Sequence, residues 1–180
     1  MRAILAALVV GVGLSGLARA QDVGILDTAA EIADQAVAIC AAVVFDGQSF
    51  ESQLDNHPDW RSVEPNSTGS RLATHAWQSR ALNTTYVMRL PNGGCSFGIE
   101  RGDSAVLRER IMTSLNQRAR FEPVLVEPTR GGRAMMHAYC VREDYPRVVS
   151  IMAGQPNSHP NVVFNMFRAS DRAPDFCATS

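Results

Sequence analysis

The chain has 180 residues, with 46% hydrophobic residues, 17 arginines and no lysine, and 18 acidic residues that leave a formal charge of −1. No basic surplus marks a surface for nucleic acid or anionic lipid, so neither partner is expected. The absence of lysine is read as a GC-rich codon bias rather than as a set of designed guanidinium sites.

Residues 1–20 read as a secretory signal peptide: Arg2 supplies the positive start, Ala3 to Leu14 the apolar run, and Ala18 and Ala20 the small residues before Gln21. Cleavage after Ala20 is expected, leaving residues 21–180 as a single exported domain, periplasmic or secreted. The apolar run is shorter than the roughly 20 residues that a membrane span needs, and a soluble mature chain is expected. Gly11 to Gly16 matches the dinucleotide fingerprint G-x-G-x-x-G, but it lies in the leader with no strand before it. Cys40, Cys95, Cys140 and Cys177 are an even count with no C-x-x-C. In an oxidising compartment they read as two disulfides, not as a redox centre or a zinc site.

In chain order, Thr28 and Glu31 form a capping box, and Ile32, Ala36, Cys40 and Val43 recur at helical spacing, which predicts a helix over 28–45. A short helix over 49–54, a polar loop over 55–70 and a third helix over 70–80, burying Leu72, Ala73, Ala76 and Trp77, follow. Periodicity then changes to two, and strands over 84–90 and 95–100 flank Pro91-Asn92-Gly93-Gly94 as a hairpin. Asp103 caps a helix ending near Arg118. Four strands, over 121–127, 133–142, 147–153 and 162–168, have separators short enough for an antiparallel meander. The fold class is therefore α+β: N-terminal helices on an antiparallel sheet, built as strand-strand-helix and then the meander, and stapled by disulfides. No internal repeat is visible.

The meander also pairs the cysteines. Its first and third strands run the same way, which brings Cys140 and Arg168 to one edge of the sheet, about 10 Å apart at two strand spacings. The tail beyond Arg168 can fold Cys177 back to Cys140, and Cys40 is left for Cys95.

The layout over 28–168, with a Cys-bearing first helix, a stretch from Trp77 to Cys95 that ends in Leu-Pro-Asn-Gly-Gly-Cys, a helix and a terminal meander, resembles uncharacterised exported proteobacterial proteins. The resemblance implies export and carries no chemistry.

Candidate sites are each weighed against a structural role. Gly47-Gln48-Ser49-Phe50-Glu51 lacks the second glycine of a nucleophile elbow, so Ser49 is read as a helix cap. His57, His75, His137 and His159 have no metal-ligand spacing. Arg101-Gly102-Asp103 spells an adhesion tripeptide, but a strand-to-helix turn needs the same glycine and acid. Met135, Met136 and His137 would suit Cu(I); sheet-core packing is the preferred reading, and no metal or cofactor is expected. The last two strands are apolar on both sides, so Val149, Ile151, Val163 and Phe167 are proposed as a surface for a protein partner or a second copy of the chain. The resulting expectation is a binding protein of inhibitor, immunity or envelope-assembly type. The alternatives are a small hydrolase using Asp46, His57, Asp59 or His159 in the 46–59 and 157–161 loops, and the Met/His copper protein.

Overall fold

Ser49 and Asp103 start helices as their side chains predict. In the computed structural model, which describes residues 15–141, 147–155, 161–168 and Cys177, Ser49 Oγ accepts the Ser52 N–H at 3.0 Å and opens α2 (Phe50–Leu54). Asp103 accepts the Ala105 and Val106 N–H groups at 2.8 and 3.0 Å and opens α3 (Ser104–Asn116). The carboxylate of the adhesion-like tripeptide is thus committed to a cap.

The first helix, α1 (Ser15–Val44), is longer than expected. It runs through Thr28, so the capping box there does not mark its start. No proline interrupts 15–44, and an interior glycine such as Gly24 costs a helix only about 1 kcal/mol. Residues 1–14, most of the expected leader, lie outside the described residues.

The 55–80 region corrects the sequence reading more strongly. The expected loop contains β1 (Trp60–Val63) and a 3-10 turn (Pro65–Thr68), and the expected third helix is β2 (His75–Ser79). Ala76 and Trp77 are buried as predicted, but Leu72 is 65% exposed. Four consecutive residues of β2, Ala76 to Ser79, are buried. A strand covered on both faces has no period of two to announce it.

The remaining strands fall where expected: β3 (Tyr86–Arg89), β4 (Cys95–Ile99), β5 (Glu122–Pro128), β6 (Ala134–Val141), β7 (Arg147–Gly154) and β8 (Val162–Arg168). All eight form one antiparallel sheet in the order β1-β2-β3-β4-β8-β7-β6-β5. The order is symmetric about the β4–β8 pair. In each half a helix precedes a four-stranded meander that starts at a sheet edge and ends at the centre. α1 and α3 pack on each other and on the same sheet face, α1 against β4 and β8, α3 against β7. The edges are blunted: β1 has four residues, and β5 carries Pro123, Pro128 and a register shift.

The core lies between the helices and this face. Trp77, Val87, Phe97, Phe164 and Ile151 form one cross-strand row beneath them, all buried. Both disulfides pair as derived, Cys40 with Cys95 and Cys140 with Cys177, at Cα separations of 5.3 and 5.9 Å. The first ties α1 to β4 within this core. The second lies on the opposite face, where Val124 and Phe167 pack against Cys140, Val148 and Cys177.

Candidate binding site

Along β4 the alternation separates Cys95, Phe97 and Ile99, which enter the core, from Ser96, Gly98 and Glu100, which line the other side. Among the described residues no α-helix covers that second face. The small side chains of Ser96 and Gly98 leave a low stripe at the centre of the sheet. Register places Met88 and Tyr86 beside it on β3, and Asn165 and Val163 beside it on β8, with Met152 beyond on β7. The end of the 3-10 turn and the segment after it supply the far wall through Thr68, Ser70 and Leu72. The result is a cleft of about 430 Å³, within the range of roughly 300–1,000 Å³ that holds small ligands.

Local hydrogen bonds fix these walls. Thr68 Oγ1 donates to Pro65 O at 2.8 Å and accepts the Ser70 N–H at 3.1 Å, while Gly69 takes φ 70° to turn the chain back. Ser96 Oγ donates to Phe164 O at 3.0 Å, Asn165 Nδ2 to Ser150 Oγ at 3.2 Å, and Gln78 Nε2 to the Tyr86 hydroxyl at 3.0 Å. Buried polar groups in the floor are therefore satisfied. Glu100 is different: its half-buried side chain has no ion-pair or hydrogen-bond partner among the described residues.

The sequence-derived partner surface divides between two faces. Val149 and Ile151 pair with Met166 and Phe164, and all four are fully buried beneath the helices. Val149 and Ile151 thus belong to the core. Val163 and Phe167 lie on the open side, partly exposed, Val163 in the cleft and Phe167 against the Cys140–Cys177 disulfide. Strands apolar on both faces serve here as core on one and as cleft and clasp on the other.

Met135, Met136 and His137 also separate. Strand alternation puts Met136 on the open face, in line with Met152, whereas His137 lies in line with Ile151 on the helix face. Three successive strand residues cannot turn their side chains to one ion. Arg108 Nη1 lies 3.2 and 3.0 Å from the His137 ring nitrogens. Burial, and then the Arg108 charge, push the His137 pKa below its ordinary value of 6.5. Burial raises the pKa of nearby Tyr139. No group of three or more His, Cys, Asp or Glu side chains with metal-site geometry occurs among the described residues.

The hydrolase residues have other partners. Asp46 pairs with Arg118 at 3.0 Å, Asp59 Oδ2 accepts from Gln35 Nε2 at 3.2 Å, and His57 Nδ1 accepts the Asp59 N–H at 3.2 Å. His159 lies outside the described residues. Of the three that are described, none lines the cleft.

No family model matches the chain, and neither does any curated protein or solved structure. The cleft therefore rests on its own geometry. The sequence did carry the alternation of β4. It held no local sign that Ser96 and Gly98 would be flanked by bulkier residues from strands β3 and β8, the latter some 65 positions away.

Proposed function

We propose that the protein is an exported binding protein that holds its ligand against the open face of the sheet. The observation that carries the reading is the cleft of about 430 Å³ over Ser96 and Gly98, with apolar walls and an internally satisfied polar floor. Export is supported by the leader and by the engagement of all four cysteines in disulfides, which persist in oxidising compartments. No helix among the described residues is long and apolar enough to cross a membrane.

A small ligand fits the open face better than a flat protein contact, because its apolar area is divided between the cleft at Val163 and the disulfide cluster at Phe167. The test uses the neutral dye N-phenylnaphthylamine, which fluoresces in apolar surroundings. Saturable binding at one site is expected. Gly98→Val should abolish it with the fold retained, because a Cβ at Gly98 meets nothing closer than Val162 O at 3.9 Å and its branches project into the cleft. Absence of saturable binding, or an unaffected Gly98→Val variant, refutes the reading. Cell fractionation with N-terminal sequencing tests export, and a mature start at Gln21 is expected.

A further inference from the structure

We propose that the cleft selects an amphiphile with an apolar body and a cationic head, and that Glu100 reads the charge. The proposal deepens the binding reading above and rests on it.

Three features of the cleft define the ligand. Ser96, Gly98 and Glu100 succeed one another along one side of β4, so the stripe is about 13 Å long at the rise of an extended strand. Met88, Met152, Val163 and Leu72 make its sides apolar. Methionine adapts to irregular apolar shapes, so these sides accept a flexible body without demanding one outline. Leu72, 65% exposed at the rim, is apolar surface that an occupant would cover.

The third feature is charge. Glu100 is the single charged side chain among the described residues that line the cleft. The described ion pairs are Arg89–Glu51, Arg110–Asp34 and Arg118–Asp46, all elsewhere. A half-buried carboxylate with no partner among the described residues, at the end of an apolar groove, attracts a cation more strongly than a carboxylate in bulk water does. It repels an anionic head for the same reason. Ser96 Oγ, Asn165 Nδ2 and the Tyr86 hydroxyl each hold an internal partner, and the other polar lining groups are neutral, so Glu100 is the group whose charge distinguishes one head from another.

The experiment titrates the mature, disulfide-intact chain calorimetrically with decyltrimethylammonium, decanol and decyl sulfate below their micellar concentrations. The cation should bind about tenfold more tightly than the neutral alcohol, through Coulombic attraction to the carboxylate alone, and the sulfate more weakly than either. Glu100→Gln should bring the three affinities together. Glu100→Lys should reverse the order in favour of the sulfate, and circular dichroism establishes that both variants fold. Equal affinities in the unmodified chain, or a cation preference that survives Glu100→Gln, overturns the charge reading while the cleft itself stands through the dye result. Dye binding without binding of any decyl compound also overturns it. Loss of both dye and amphiphile binding refutes the underlying binding reading.

Discussion

Phe97 and Phe164 face each other across the central strand pair, with ring centroids 4.6 Å apart, planes inclined by 20° and no exposed surface. They sit where the two halves of the sheet meet, and an antiparallel pair of this kind has its local two-fold axis between them. Cys95 and Met166 flank them on one side, Ile99 and Val162 on the other. The sheet is thus continuous through a seam made of one aromatic pair and its aliphatic neighbours.

Phe164→Ala should therefore destabilise the whole chain by about 3–5 kcal/mol, the usual cost of emptying a buried aromatic site. Urea unfolding should remain a single transition, because the seam joins both halves to one core. A variant that loses only one half of its secondary structure at low urea would show that the halves fold independently.

The two disulfides close segments with sequence separations of 55 and 37 residues, and chain entropy assigns each about 4 kcal/mol as an upper figure. Replacing Cys40 and Cys95 by alanine should cost more than replacing Cys140 and Cys177, because the first pair is packed into the helix-covered core. Thermal melts of the two double variants measure the difference. A non-reducing tryptic digest should join the Cys40 peptide that ends at Arg61 to peptide 90–101, and peptide 134–142 to 173–180, and any crossed product contradicts the pairing.

His137 makes stability depend on pH in a defined direction. Its folded pKa lies below the ordinary 6.5, first through burial and then through Arg108, so the unfolded chain binds its proton more readily. This site costs nothing well above pH 6.5. Its penalty grows as pH falls from about 6.5 towards the lower folded pKa, and levels off below it. His137→Gln should flatten that part of the stability profile relative to the unmodified chain, as read by urea midpoints between pH 7.5 and 5. Parallel profiles would show that His137 titrates normally in the folded protein.

Gly94 marks where the hairpin loop meets the seam. A Cβ there would lie 3.0 Å from Met166 O and 3.1 Å from Phe167 Cβ, and the carbonyl belongs to a strand held on both sides. Gly94→Ala should cost about 1–3 kcal/mol, as overpacking does. Gly93→Ala is a useful comparison, because it meets no neighbour and its penalty comes from φ 75° alone. A Gly94→Ala variant as stable as the parent would mean that β8 can move away from the loop.

Legibility varied with how local the signal was. The Pro91 to Gly94 hairpin, the caps at Ser49 and Asp103 and the four-strand meander were readable because turn chemistry and alternation lie within a few residues. β2 was misread because Leu72 and Ala73, which precede it, fall at helical spacing with Ala76 and Trp77, while the strand itself, buried on both sides, shows no period of two. β1 was missed because four residues in a polar stretch are too few to show a period. Val149 and Ile151 were assigned to a surface because an apolar residue on a central strand looks the same whether a helix or solvent faces it.

The sequence by itself determined the α+β class, the antiparallel meander and, through the parallel course of β6 and β8, the pairing of Cys140 with Cys177 and Cys40 with Cys95. Tertiary structure alone decided that β8 returns to pair with β4, that α1 and α3 cover the same face, and that Ser96, Gly98 and Glu100 become the floor of a cleft. The difference is physical. Alternation, caps and turns are encoded between neighbours in the chain, whereas a cleft exists only where small side chains meet larger ones from distant strands. Here that requires Tyr86 and Met88 on one side of β4, and Val163 and Asn165 on the other, to be brought into register by the folded sheet.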